Sequence, residues 1–390
     1  MTRYATAITL GLLGLLTGSA TACPFCAAEG QTYSTELNEA RIVIVARPIS
    51  ADIDKETTEI EIETVIKDDP SRGKKTRFVL SRYIDPTPLG TKGKFLFFCE
   101  IYKDKLDAYR GMFIKEDSKL PAYCQKLVEL KGKPASVRLE TLFEYLDHSD
   151  LDVSGDAYKE FAYADYKDLK AMYKGLPAEK ILKWIKSPDT PSVRMGLYAS
   201  MLGHCGKAKD AVALRAILDD PERRTGSGLD GTLAGYIMLD PKAGWEYTLG
   251  VLKNSKEDFY FRYAVLRGVR FLYDYRSDLI TKKQIIAVYR LLLGQRDIQD
   301  IVIEDLRTWK RWDMADAVLA LVKTEAHEAP LVKRSMLRYA LQCKGNASAT
   351  AYVAARRKAD PEVVADAQKA LDQEAADAKK TADLLKKRRS

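Results

Sequence analysis

The fold of most of this chain is decided by one stretch, Ser187-Pro188-Asp189-Thr190-Pro191-Ser192-Val193-Arg194-Met195-Gly196-Leu197-Tyr198-Ala199-Ser200-Met201-Leu202-Gly203. It has a polar, proline-containing start, an apolar stripe and a glycine stop, which are the signals of a helix. A second helical pattern covers Asp210 to Leu218 and ends at Asp219-Asp220-Pro221. A single pair of such helices leaves its apolar faces exposed, so we predict that pairs stack on one another.

The same pattern returns, less regularly, along residues 163–373. Polar starts followed by an arginine and an apolar stripe occur at Glu257–Arg267 and Ala329–Leu341, and Asp360–Ala367 opens the last pair. This arrangement resembles a HEAT-type repeat. The resemblance implies a superhelical α–α array that offers a surface to a partner.

Residues 38–128 have the shorter period of β-strands. Arg41–Arg47 is rich in β-branched residues and is predicted to end at Pro48, and Lys94–Ile101 is a fully apolar run typical of a central strand. Several short strands with no helix between them favour a small barrel or sandwich. The sequence therefore predicts an α+β multidomain protein, in which a small β module precedes the helical array.

Part of the N-terminal region resembles a known class of exported modules. The resemblance rests on Cys23-x-x-Cys26, the strand Ile42–Ala46, the segment Glu61–Lys67 and the later Gly93–Phe97. These features are similar to those of netrin-like modules, which are OB-type barrels. The resemblance implies protease inhibition through the mature N-terminus.

The first 22 residues read as an export signal. Arg3 is followed by an apolar stretch from Ala5 to Leu16 and by the small residues Ala20-Thr21-Ala22. This layout predicts cleavage after Ala22, with Cys23 as either a plain or a lipidated first residue. The mature chain is then expected in the periplasm or outside the cell, where its net charge of +7, from 62 basic and 55 acidic residues, is too spread out to mark a nucleic-acid binder.

The sequence divides into six predicted segments. They are the signal 1–22, the Cys-x-x-Cys segment 23–37, the β-rich module 38–128, a linker 129–162, the helical array 163–373 and a basic tail 374–390. The acidic stretch Asp147-His148-Ser149-Asp150 in the linker predicts a solvated loop. The tail is interpreted as a solvated helix end, or alternatively as a contact with an anionic membrane surface.

Cys23-Pro24-Phe25-Cys26 is the sharpest chemical motif. Because export favours oxidation, we predict structural disulfides that tie Cys23 and Cys26 to Cys99 and Cys124 and so attach the mature N-terminus to the β module. The same four thiols leave a metal site open as an alternative, and the Cys-x-x-Cys pair leaves open a thiol-redox function. Cys205 and Cys343 are expected to be buried free thiols.

No set of residues in the sequence forms a recognisable catalytic constellation, cofactor motif or metal motif. Gly226–Gly231 lacks the lysine of a phosphate loop and is interpreted as a flexible connection. The best candidates for a binding patch are Trp309, Arg311 and Trp312.

The favoured hypothesis is an exported, non-enzymatic scaffold that binds a protein or an envelope polymer, with membrane contact only through a lipidated Cys23 or the basic tail. The alternative is a thiol-redox or metal-handling protein using Cys23 and Cys26.

Overall fold

The computed structural model describes residues 23–26, 28–85, 93–103, 105–224 and 226–389, so the predicted signal lies outside the described residues. Its contacts divide the chain into two units, Cys23–Leu239 and Asp240–Ser390. The boundary falls inside the segment 163–373 that the sequence analysis treats as one array. Within the described part of the chain, none of the helices combines the length and the apolar composition that crossing a membrane requires.

The first unit contains a five-stranded antiparallel sheet with the strand order β3-β2-β1-β4-β5. The strands are β1 (Ile42–Asp52), β2 (Thr57–Lys67), β3 (Arg77–Leu80), β4 (Gly93–Tyr102) and β5 (Lys105–Lys115). The two edge strands, β3 and β5, also contact each other, so the sheet is strongly curled. The predicted β-rich module is therefore confirmed as a small antiparallel sheet.

The apolar runs of β1 and β4 are buried on both faces of this sheet. One face forms a core that includes Ile42, Ile44 and Phe97. On the other face Val43 and Phe98 are also fully buried. Burial on both faces explains why these strands read as continuous apolar runs rather than as alternating patterns.

Pro48 does not end the first strand, contrary to the prediction. The ladder between β1 and β4 stops at Ala46, whereas β1 and β2 stay paired as far as Asp52, with a register shift between Pro48 and Ser50. Proline lacks an N–H donor and is tolerated where a strand has lost its neighbour on one side. Pro48 lies where β1 has changed from a central strand to an edge strand.

Nine helices complete the described part of the first unit. They are α1 (Tyr33–Glu39), α2 (Leu120–Glu129), α3 (Ala135–Phe143), α4 (Leu151–Ala162), α5 (Tyr166–Tyr173), α6 (Ala178–Lys186), α7 (Ser192–Cys205), α8 (Ala211–Asp219) and α9 (Leu229–Leu239). Helix α5 contacts α7, α7 contacts α9, and α6 contacts α8. Helices therefore pack on their next-but-one neighbours as well as on their sequence neighbours.

The linker predicted for residues 129–162 is wrong, because α3 and α4 occupy it. Val153, Ala157 and Phe161 are spaced four residues apart and are all buried on one face of α4. Asp150, which was assigned to a solvated loop, is the N-cap of this helix and accepts a hydrogen bond from the Asp152 N–H. The acidic start of α4 is a capping signal rather than a linker signal.

Helix α7, formed by the stretch quoted first, packs against α9 with its backbone in close contact. A Cβ atom added at Gly231 would lie 2.4 Å from the Gly196 carbonyl oxygen, and one added at Gly235 would lie 2.3 Å from that of Ala199. Gly228, with a φ of +86°, forms the turn into α9. The predicted flexible connection at 226–231 is therefore wrong in its second half, where the glycines permit close helix packing.

The second unit is helical throughout its described residues. Its helices are α10 (Pro241–Lys253), α11 (Phe259–Tyr275), α12 (Lys282–Leu292), α13 (Gln299–Thr308), α14 (Ala315–Leu319), α15 (Pro330–Gln342), α16 (Ala347–Ala359) and α17 (Pro361–Arg389). Next-but-one contacts recur here between α10 and α12, between α14 and α16, and along α13, α15 and α17.

An ion-pair network joins α13, α15 and α17. Arg307 donates to Glu374 at 2.9 Å, and Arg338 also donates to Glu374. Both arginines pair with Glu304, at 2.7 Å and 3.3 Å, and both are almost fully buried. The segment 374–390 therefore does not begin as a separate tail, because Glu374 fixes α17 to the helices beside it.

We predict that Gly231→Ala destabilises the first unit by about 3 kcal/mol, because the new methyl group forces α9 away from the α7 backbone. Gly155→Ala in α4 is the matched control, since a Cβ there meets no atom within 4 Å. The control is expected to gain up to about 1 kcal/mol from helix propensity. Urea unfolding monitored by circular dichroism checks both variants, and equal midpoints would contradict the packing argument.

Candidate functional site

Cys23 and Cys26 form a disulfide with each other, with Cα atoms 5.5 Å apart. The predicted bridges to Cys99 and Cys124 are therefore wrong, since both of those residues are free thiols. Cys99 lies inside the sheet core beside Ile42 and Phe97, and Cys124 is fully buried in α2. A compartment argument favours oxidation but gives no information about which thiols meet in space.

The residues after Cys23 run along α4 in the opposite direction to the helix. The Cys23 N–H donates to the Ala162 carbonyl at the end of α4 at 3.0 Å. The Tyr163 hydroxyl donates to the carbonyls of Ala28 and Gly30 at 3.1 and 2.8 Å. The Tyr33 N–H donates to Asp156 Oδ1 at 2.8 Å. Helix α4 is thus the support on which the N-terminal segment lies.

The Cys-x-x-Cys turn is also held by α7. A Cβ atom on Gly196 would lie 3.0 Å from the Phe25 carbonyl oxygen and 3.3 Å from the Phe25 Cβ. Phe25 and Cys23 are buried, whereas Cys26 is half-buried. An incoming thiolate would therefore reach the sulfur of Cys26 more readily than that of Cys23.

The surroundings of the disulfide differ from those of a low-pKa redox cysteine. Residues 24–25 form a turn, and the next helix, α1, begins only at Tyr33. A helix N-terminus next to the cysteine is one feature that lowers a thiol pKa, and the motif does not start a helix here. Among the described residues there is also no group of three or more histidine, cysteine, aspartate or glutamate side chains placed to hold a metal ion.

The four free thiols are protected from reaction. Burial raises the pKa of Cys99 to about 12 and that of Cys205 to about 11. Burial also raises the pKa of Cys124 and of Cys343. Because the thiolate is the nucleophile, a raised pKa lowers the reactivity of these residues at neutral pH. The prediction of buried thiols is confirmed for Cys343, while Cys205 is half-buried.

A buried polar cluster fixes the N-terminal segment below the disulfide. Asp156 of α4 accepts hydrogen bonds from the Tyr33 N–H and, at 2.9 Å, from the Tyr123 hydroxyl. Burial raises the pKa of Asp156 to about 7, and nearby Glu160 acts in the same direction. Lys159 and the two hydrogen bonds oppose this rise. Asp156 is a titratable anchor for the chain that leads to the cysteines.

Two further carboxylates of this region are buried with one oxygen each lacking a hydrogen-bond partner in the described structure. Glu36 pairs with Arg110, and its second oxygen is unpartnered. Glu160 accepts from Arg138 at 2.8 Å through one oxygen, and its other oxygen is likewise unpartnered. Burial raises the pKa of Glu36, although Arg110 lowers it. These pairs hold α1 to β5 and α3 to α4.

The predicted binding candidates of the second unit lie close together, but Trp309 is a packing residue. Its indole stacks on Tyr273 with ring centroids 3.7 Å apart and contacts Tyr289 at 4.9 Å. Trp312 is half-buried and meets Tyr339 edge-on at 5.1 Å. Arg311 pairs with Asp313 at 2.5 Å. All three candidates are half-buried, and Trp309 differs from the other two in being packed against two rings.

A more accessible aromatic surface lies on α11 and was missed by the sequence analysis. We call Phe259, Tyr260 and Tyr263 the aromatic ridge. Tyr260 is 74% exposed, and the rings of Phe259 and Tyr263 are parallel with centroids 6.2 Å apart. Arg270 lies 5.5 Å from the Tyr263 centroid. The helical periodicity of the sequence could have revealed this ridge. The buried positions of α11 begin at Phe261, and the same periodicity places Phe259, Tyr260 and Tyr263 on the outer side of the helix.

We predict that Asp156→Asn removes a pH dependence of stability. The folded pKa is about 7, whereas an unfolded aspartate titrates at about 3.9. The stabilising contribution is therefore complete below about pH 4 and is lost as the pH rises to about 7, by about 4 kcal/mol in total. The asparagine keeps both hydrogen bonds, because its oxygen accepts from Tyr33 and its amide donates to the Tyr123 hydroxyl.

Urea titrations at pH 5 and pH 8, with pulsed hydrogen exchange read in the peptides of α4, measure this effect. The parent chain is expected to unfold at lower urea at pH 8 than at pH 5, whereas the variant unfolds at similar urea at both values. Glu140→Gln, an exposed carboxylate of α3, is the control and should behave like the parent. A variant that keeps the parent's loss of stability would show that Asp156 does not titrate in this range.

Comparisons with known proteins assign no family to this chain. A scan against protein-family models, a search of curated proteins and a search of solved structures each found no match. The HEAT-type and netrin-like resemblances therefore stay predictions.

Proposed function

We propose that this chain is an exported, non-enzymatic binding protein. The observation that carries the proposal is the aromatic ridge, in which Tyr260 is exposed and Phe259 and Tyr263 are half-buried, on a helix whose other side is buried. Tyrosine, tryptophan and arginine dominate the energetics of protein interfaces. A protein partner is therefore favoured over an envelope polymer.

The packing of the helices supports a scaffold role. In stacked helical pairs, equivalent helices of successive pairs lie side by side. The next-but-one contacts of α5 with α7 and of α13 with α15 are of this kind. We infer that each unit contains stacked pairs of the HEAT type, and that the ridge belongs to the binding surface of the second unit.

Residues 1–22 support export, and the state of Cys23 bears on how the signal is removed. A lipid thioether on Cys23 and a disulfide to Cys26 need the same sulfur atom, and the disulfide occupies it. We therefore favour plain cleavage after Ala22 and a periplasmic or secreted chain. Contact of the basic end of α17 with an anionic membrane surface stays a prediction.

A second candidate function, thiol-disulfide exchange, is favoured by the direct Cys23–Cys26 bond. A dithiol donor would attack the half-buried sulfur of Cys26 and release Cys23 as a thiolate. The donor's second thiol would then displace Cys26, leaving the donor oxidised and Cys23 and Cys26 as thiols. The buried position of Cys23 and the absence of a helix start at the motif make this the second choice.

The binding proposal predicts that the double variant Tyr260→Ala, Tyr263→Ala loses partner binding by at least about tenfold, since aromatic hot-spot residues each contribute about 2 kcal/mol or more. The test uses the biotinylated mature chain, with envelope proteins of the source organism and purified peptidoglycan assayed separately. Val212→Ala, an exposed apolar residue of α8, is the matched control and should retain binding. Equal binding by both variants would reject the ridge, and retention on peptidoglycan alone would assign a polymer instead.

The exchange candidate predicts that Cys23 and Cys26 change between dithiol and disulfide in glutathione buffers, while the other thiols stay unmodified in the native chain. Alkylation followed by mass mapping of the tryptic peptide Cys23–Arg41 measures the redox state. Cys26→Ser is the control and leaves Cys23 unable to form the bond. A disulfide that persists in every glutathione buffer would show that the pair is structural and would reject this candidate.

A further inference from the structure

A small cavity of about 190 Å³ lies between α1, α2, the end of β2 and the start of α3. Its lining residues all belong to the first unit and include neither cysteine of the disulfide. Three of its lining side chains are cationic, those of Lys67, Lys131 and Arg138, and none of its lining residues is acidic.

The positive charge of this cavity is only partly compensated. The Lys67 ammonium donates to the carbonyls of Leu37 at 2.7 Å, of Asn38 at 3.3 Å and of Ala40, all at the end of α1. These carbonyls use its donors without supplying a formal negative charge. Burial lowers the pKa of Lys67 and the neighbouring charge of Lys131 lowers it further, whereas the carboxylates of Glu100 and Asp69 raise it. Like charges that face each other in this way favour an anion placed between them.

The third cation differs because it has a partner behind it. Arg138 donates through one nitrogen to the buried Glu160 at 2.8 Å, which offsets its charge and fixes its side chain. Its remaining guanidinium donors extend the positive side of the cavity. Lys131 is exposed at the mouth and makes no ion pair among the described residues. Lys131 thus supplies the charge that a ligand can contact, whereas Lys67 adds positive charge but has its three donors in use.

Part of the cavity wall is apolar. Leu37, Leu127 and Leu130 are buried, and their side chains line the cavity. A cavity of about 150 Å³ lined by apolar groups accepts benzene, so the volume here suits a ligand of about eight to ten non-hydrogen atoms. A ligand with an anionic end and a short apolar body would match both sides.

We propose that this cavity binds a small organic carboxylate with a short apolar or aromatic body. The carboxylate contacts Lys131 and lies within the field of Lys67, while the body packs against the leucine wall. Inorganic phosphate shares the charge but leaves the apolar wall unused, so it is expected to bind more weakly. The site is independent of the proposed partner-binding surface.

The test measures dissociation constants for benzoate, benzyl alcohol and inorganic phosphate on the full mature chain by ligand-observed NMR titration. Benzyl alcohol has a similar shape to benzoate without its charge, and phosphate has charge without an apolar body. We expect benzoate to bind at least about tenfold more tightly than either, because each lacks one of the two complementary features. No benzoate binding at about 10 mM ligand would overturn the proposal.

Two variants assign any binding to this cavity. Lys131→Glu reverses a charge at the mouth and is expected to weaken benzoate binding by at least about tenfold. Lys133→Glu makes the same charge change on an exposed residue that does not line the cavity, and is expected to stay within about threefold of the parent. Equal losses in both variants, or phosphate binding tighter than benzoate, would overturn the proposal.

Discussion

The first unit depends on the close approach of three backbone segments around Gly196. The start of α9 lies against one side of this glycine, and the Phe25 backbone lies against it as well. Any side chain at Gly196 would push away the cysteine turn, α9 or both. The distance between α7 and α9 therefore also determines where the N-terminal segment fits. The part of α7 that packs closely on α9 is also the surface on which the Cys23–Cys26 turn lies.

Helix α4 holds the N-terminal segment that leads from the disulfide to the β-sheet. Its apolar face buries Val153 and Phe161, while Asp156 accepts a hydrogen bond from Tyr33, whose ring stacks on Phe98 of β4. A buried carboxylate with a raised pKa is an unfavourable choice for stability alone, because burial disfavours its charged form. The two hydrogen bonds from Tyr33 and Tyr123 offset part of that penalty and give the segment one defined register on α4.

Local sequence patterns predicted the helices and strands of this fold better than they predicted which of these elements contact each other. The apolar runs of β1 and β4 and the helical period from residue 163 onward reflect burial, which a sequence displays directly. The Cys23–Cys26 bond, the packing role of Gly231 and the aromatic ridge depend on which segments meet in space. Asp150 shows the same limit on a smaller scale, because an acidic residue before a helix reads equally as a cap or as a loop until the packed face of α4 is recognised.

The position of the disulfide argues that its role is local. A bond between residues only three apart closes a very short loop, and the entropic stabilisation from a disulfide grows with loop length. The β module has other sources of stability, because β1 and β4 are covered on both faces and the ring of Tyr33 stacks on Phe98. The bond is therefore better placed to hold Phe25 against Gly196 than to support the sheet. A disulfide that contributes so little to global stability can serve either as a permanent local cross-link or as a bond that is reduced and re-formed. The reduction potential of the Cys23–Cys26 pair distinguishes these two roles.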